Sequence, residues 1–256
     1  KNYFAMAQWH EAAVESRLIA DGLENLNDFP DDPYSRYISG LGFEMIRDFS
    51  GAKLEYNRAN DLAKHLDIDE QTGHISIATT NATKQAKAPA PSGELICLVS
   101  LGRAPIPGRR PRGNNAWGAR PYVKLYHKQR YLGRSYTLNT TARLLAATQR
   151  RIAVLKAAKT ATRVVLKESI AYAIAEENAF LGEILRLILY AFEVPDSRGW
   201  ETLPMWLQVA RVPCPKTLDE FTIAFHNSDG VEMRRETVTT PLASRDDKHV
   251  SFIRAW

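Results

Sequence analysis

Apolar positions near the start of the chain fall at helical spacing. Phe4, Trp9, Val14, Leu18, Ile19, Leu23 and Leu26 predict one amphipathic helix over residues 2–27. The run NDFPDDP, Asn27–Pro33, carries two prolines and three aspartates and stops it. A helical hairpin is predicted next, over Asp32–Ala63. Gly40 and Phe43 fall on its first helix, Asp48 and Phe49 in the turn, and Ala52, Tyr56 and Ala59 on the second. Small side chains at Gly40 and Ala52 let the helices approach, Phe43 and Tyr56 fill the space beside them, and Ala59 admits a further helix.

The pattern then changes. Residues 67–93 are polar and small with prolines near the end, and read as an extended linker. Asp67, Asp69 and Gly73 do not make a calcium loop, because Thr72 and Ala78 stand where it needs Gly and a bidentate Glu. From Glu94 on, strands are expected. ELICLVSL is a short apolar strand, YVKLY alternates, and RYLGRSYTL reads as another. Helical pattern runs over about 141–192. In MWLQVARV, Trp206 and Val209 alternate with Leu207 and Ala210. EFTIAFHNSDGVEMRRETV is a hairpin turning at Asp229–Gly230, and KHVSFIRAW a last strand. The expected fold is α+β. It comprises a helical region over 1–66, the linker 67–93, and a domain over 94–256 of mainly antiparallel strands with a helical insert.

Charge alters this picture more than composition does. The net charge is +5, yet residues 95–167 contain sixteen of the 34 basic residues and no Asp or Glu. The rest of the chain is acidic. Such a block attracts anionic partners or complements the acidic part of the same chain. Arg109, Arg110, Arg112 and Arg120 sit in a Pro- and Gly-rich loop, and Lys156, Lys159, Arg163 and Lys167 share one helix face. These eight are the candidate partner-binding residues. Trp117, Tyr122, Tyr126, Tyr131 and Tyr136 interleave the block. No RNA- or DNA-binding signature accompanies them, so nucleic acid is the weaker choice of anion.

Motifs for catalysis are lacking. The chain has no phosphate loop, G-x-S-x-G elbow or H-E-x-x-H. Its six histidines lack metal-ligand spacing. Glu168, Glu176, Glu177, Glu183 and Asp196 are the carboxylates from which an acid–base pair would have to come, and a composite site near Asp196–Trp200 is the enzyme alternative. No catalytic, cofactor-binding or metal-binding residue is assigned. Cys97 and Cys214 read as buried thiols, with a bridge open only if their strands adjoin. No uninterrupted apolar run reaches membrane-spanning length. The chain opens with Lys1 inside a helical pattern, without Met or a signal-peptide pattern. A missing natural N-terminus, which could carry a lipid anchor, is therefore expected.

Two resemblances carry these residues further. Gly40, Phe43, Ala52, Tyr56 and Ala59 resemble a tetratricopeptide repeat, without its usual Trp and closing Pro. A single repeat leaves a face uncovered, so further helices or a docked domain are expected. The stretch DSRGWETLPMWLQVARVPCP, with Asp196, Arg198, Trp200, Leu203, Pro204, Gln208, Ala210 and Arg211, and the earlier Gly102, Ala104 and Pro105, resemble an uncharacterised family of bacterial cell-envelope proteins. The family combines tetratricopeptide-type helices with a C-terminal domain, and many members are predicted lipoproteins. The resemblance implies a periplasmic, outer-membrane-associated location and brings no catalytic residues. The expected function is a non-enzymatic scaffold or adaptor of an envelope assembly, binding other proteins or copies of itself. The first alternative is a binder of anionic polymer, lipid or nucleic acid. Asp196, Arg198 and Trp200 are expected at a corner joining helices to sheet.

Overall fold

The computed structural model describes residues 2–24, 31–78, 93–104, 116–143, 203–239 and 243–256. All belong to one unit formed by residues 1–144 and 200–256. The expected insert beyond Arg143, with Asp196, Arg198 and Trp200, lies outside the described residues, as do Arg109, Arg110 and Arg112.

The N-terminal helical pattern folds as two helices rather than one, α1 (Asn2–Ala5) and α2 (Trp9–Glu24). Ala7 takes φ 55°, which a right-handed helix cannot contain. The break lets Phe4 turn back edge-on to Trp9, with centroids 5.3 Å apart. The hairpin follows as α3 (Pro33–Met45) and α4 (Phe49–Leu62). Asp32 caps α3, accepting from the Tyr34 N–H at 3.0 Å and the Ser35 hydroxyl at 2.6 Å, with Pro33 pre-set for the first turn. Asp48 caps α4 by accepting from the Gly51 N–H at 2.9 Å. Phe49, expected in the turn, therefore begins the second helix. Gly40 is required because a Cβ there would lie 2.8 Å from the Tyr56 ring.

Residues 67–93 were expected to form an extended linker, but their described part is mostly a hairpin. Strands β1 (Leu66–Ile68) and β2 (Ile75–Ile77) pair antiparallel. Three residues each is too short an alternation to register as periodicity. The remaining strands are β3 (Gly93–Leu101), β4 (Tyr122–His127), β5 (Arg130–Arg134), β6 (Tyr136–Thr140), β7 (Trp206–Cys214), β8 (Phe221–His226), β9 (Glu232–Val238), β10 (Ala243–Arg245) and β11 (Lys248–Ala255). RYLGRSYTL, expected as one strand, is β5 and β6 with Ser135 between them, and the two strands belong to different sheets. One sheet has the order β10-β11-β3-β7-β6 and the other β5-β4-β8-β9. Pairing is antiparallel except that β11 lies parallel to β3. The α+β class holds.

The five-stranded sheet is covered on both faces, which is why β3 and β7 read as nearly continuous apolar runs. Ile96, Leu98, Val209 and Val250 pack with the helices. Leu95, Cys97, Val99, Ala210 and Val212 pack with Val123, Leu125, Ile223 and Phe225 of the second sheet. Each fully buried aliphatic side chain of this kind contributes roughly 1.5–3 kcal/mol. Along β7, Trp206 and Ala210 share the face toward the second sheet, whereas Leu207 and Val209 face the helices. The expected grouping of Trp206 with Val209 is thereby corrected, since strand periodicity is two. Cys97 sits opposite Ala210 and Cys214 opposite Gly93. That offset of four residues, about 13 Å along the strands, rules out a bridge. Both remain buried thiols, and burial pushes Cys214 up to about 12.

Candidate functional site

Arg211 projects from β7 onto the helical side of the sheet, a position that two-residue periodicity dictates from its neighbour Val209. There its guanidinium makes five hydrogen bonds. It donates to Glu44 at 2.7 and 2.9 Å, to Glu94 at 2.7 Å through two nitrogens, and to the Tyr56 hydroxyl at 3.1 Å. Tyr56 in turn donates to Glu44 at 2.5 Å, and Lys248 from β11 also reaches Glu44. One residue on α3 thus binds groups from α4, β7 and β11. Burial opposes the charge on Arg211, but Tyr56, Tyr37 and Glu94 more than offset it, so its pKa lies well above the ordinary value. The β1–β2 hairpin closes over this node. Tyr37 donates to the Gly73 carbonyl at 2.7 Å. A Cβ at Gly73, where φ is +63°, would lie 2.5 Å from Tyr56 and 2.7 Å from Arg211. Every polar group in this cluster has a partner, which is the condition for burying charge at tolerable cost.

A second buried cation, Arg36 on α3, ties the helices together. It donates to Asp21 at 2.7 Å and to Asp31 at 3.1 and 3.2 Å, and approaches Glu55 at 3.4 Å. Gln208 acts on the opposite face of β7. It accepts from Ser135 at 2.6 Å and donates to the Pro121 carbonyl at 2.6 Å and to Thr137 at 2.9 Å. It therefore fixes the point where the chain passes from β5 to β6.

That crossing floors a groove of about 620 Å³. The β1–β2 hairpin forms one wall through His65 and Ile77, and His65 donates through Nε2 to the Thr137 carbonyl at 2.9 Å. The approach to β4, the end of β5, strand β6, the residues just after it and Trp206 of β7 supply the rest. Arg120, Arg134 and Arg143 line the groove, and among the described residues no carboxylate does. Among the described residues no ion pair forms with any of the three. Arg134 is held instead by aromatic faces. Its guanidinium carbon lies 4.4 Å from the Tyr122 ring centre and 5.4 Å from that of Tyr136. His226 stacks on Tyr122, with centroids 5.1 Å apart and planes at 10°. The Arg134 Nε is buried and has no hydrogen-bond partner among the described residues. An orphaned donor of this kind costs about 1–3 kcal/mol, which the two aromatic contacts offset in part.

Of the expected partner-binding residues, Arg120 is the one described, and it lines the groove. Arg109, Arg110, Arg112, Lys156, Lys159, Arg163 and Lys167 lie outside the described residues, as do Asp196, Arg198 and Trp200. Tyr56 and Arg211, named from two separate motifs, meet in one node. Pro204 accepts from the Thr141 hydroxyl at 2.6 Å, a backbone closure where β6 ends and the chain nears β7. Glu44, Glu94 and Lys248 were not singled out, and no local spacing marks them. Arg134 carried a signal, since it belongs to the acid-free block and is flanked by tyrosines. Among the described residues, no His, Cys, Asp and Glu side chains group as a metal centre would need, and no helix is long and apolar enough to cross a membrane. Comparison of the chain with protein-family models, with curated proteins and with solved structures returns no match.

Proposed function

We propose that the protein is a non-enzymatic scaffold or adaptor of a bacterial envelope assembly, periplasmic and associated with the outer membrane. The observation that carries this reading is a helical layer locked to a sheet by a fully paired ionic node while its outer surface keeps apolar side chains in solvent. Leu18 and Ile19 on α2 are 58% and 55% exposed, and Leu54 on α4 is 44% exposed. In this reading the α3–α4 hairpin serves as a tetratricopeptide-like unit, and a second protein or a further copy of the chain covers α2. The envelope location rests on the resemblance of DSRGWETLPMWLQVARVPCP and Gly102-x-Ala104-Pro105 to envelope proteins. The test is sedimentation of the protein extracted from its native envelope, beside a Leu18→Glu/Ile19→Glu variant. Wild type should sediment as an assembly and the variant as a monomer. A monomeric wild type overturns the proposal.

A second reading, that the protein binds an anionic ligand, is favoured by a groove lined by three arginines and, among the described residues, by no carboxylate. The two readings are compatible, because α2 and the groove share no residue.

A further inference from the structure

We infer that the groove along β6 is a binding site for a phosphate group, as a monoester, a diphosphate or a lipid headgroup. The inference rests on the second reading above and deepens it. Three arginines line one groove with no carboxylate among its described lining residues. Like charges gathered this way repel one another, and an anion relieves that repulsion. Arg134 is the anchor. With Tyr122 on one side and Tyr136 beside it, the guanidinium plane has little freedom, and its ordering cost is met before a ligand arrives. Stacking occupies the faces of a guanidinium and leaves its N–H edge for a planar, bidentate fork to oxyanions.

The remaining donors favour phosphate over carboxylate. Thr137 accepts from Gln208 at its hydroxyl oxygen, which leaves its own O–H to donate. Thr140 adds a second hydroxyl, and Arg120 and Arg143 reach the groove from segments on either side of Arg134 in the chain. Donors arriving from several directions suit a tetrahedral group with three terminal oxygens better than a flat carboxylate with in-plane lone pairs. The rings do not serve a base or sugar by stacking. Tyr122 already has His226 on one side and Arg134 near the other, and Trp206 is buried. Recognition is therefore of the phosphate and not of what it is attached to.

The experiment is calorimetric titration of the whole protein with inorganic pyrophosphate, and a parallel flotation assay with vesicles of phosphatidylglycerol or of phosphatidylcholine alone. Arg134→Gln and Arg134→Lys are compared with wild type, and each is first checked for an unchanged melting curve. Saturable binding of pyrophosphate, weakened at least tenfold in both variants and falling steeply with salt, supports the inference. Arg120→Gln, on an exposed loop, should weaken it less and serves if the Arg134 variants fail to fold. Flotation with phosphatidylglycerol that is lost in Arg134→Gln assigns the phosphate to a headgroup, whereas pyrophosphate binding without flotation assigns it to a soluble ligand. Absence of both, or citrate binding as tightly as pyrophosphate, overturns the inference. Sedimentation of the assembly is indifferent to these outcomes, so failure here leaves the scaffold proposal standing, and the converse also holds.

Discussion

Arg211 and Arg134 are both strand arginines on the walls of one body, yet they are treated in opposite ways. Arg211 is surrounded by carboxylates and a tyrosine brought from three other elements, α3, α4 and β3, and all its nitrogens are engaged. Among the described residues, Arg134 has aromatic faces for company, no carboxylate, and one buried nitrogen without a partner. The first arrangement is what a fold needs from a buried cation. The second leaves the charge open to something outside the fold. Partner type, rather than burial, separates the structural arginine from the functional one.

The largest effect should come from the paired site. Replacing Arg211 by Met leaves the buried Glu44 and the half-buried Glu94 without their guanidinium partner, and should destabilise the protein by about 3–5 kcal/mol, read from urea denaturation midpoints. Gly73→Ala tests the lid over the same node. The new Cβ meets Tyr56 and Arg211 in a backbone conformation unsuited to alanine, so a loss of about 2 kcal/mol is expected in the same measurement. If either change were silent, the node would not be holding helices to sheet.

The next effect concerns the aromatic stack beneath Arg134. Burial holds the His226 imidazole below its ordinary pKa, against the hydrogen bond to the Ala224 carbonyl and with help from Lys124. The unfolded chain then binds a proton that the folded protein resists. Stability from this group is complete above the unfolded value of about 6.5 and is lost as pH falls through the lower, folded value. Wild type should therefore lose more thermal stability between pH 8 and pH 5 than His226→Gln does, by on the order of 2 °C in Tm. The smallest change in stability is predicted for the groove itself. Arg134→Gln forfeits a cation–aromatic contact but also removes an orphaned donor, and should shift stability by less than about 1 kcal/mol. A loss as large as that of Arg211→Met would erase the distinction between the two sites.

Much of this architecture was legible along the chain because it is periodic. The α3–α4 hairpin announces itself by its small and aromatic positions, β3 by an apolar run, β4 and β7 by alternation, and β8–β9 by the turn at Asp229–Gly230. What could not be read is what depends on meeting at a distance. Glu44 finds Arg211, and Asn139 donates to Asp32 at 2.7 Å, through the stacking of layers alone. Nothing near Glu44 distinguishes it from a solvated helix glutamate. The switch of sheets at Ser135 was hidden because both strands continue one alternating pattern. It is the hydrogen bonds of Gln208 that make the switch hold. The groove was half visible: a block without acids interleaved with tyrosines pointed to anion binding, but the pairing of Arg134 with Tyr122 and Tyr136 requires β4, β5 and β6 to be in place.

Strand β11 lies parallel to β3 and between β3 and β10, so Glu94 must wait for Lys248 before its side of the sheet is filled. During synthesis, β3 therefore emerges long before its neighbour, an apolar strand with an unsatisfied backbone edge. The nascent chain carries that exposed edge until β11 has emerged, and such non-local closure makes for slow folding. An edge left open in this way invites pairing with other chains until β11 covers it.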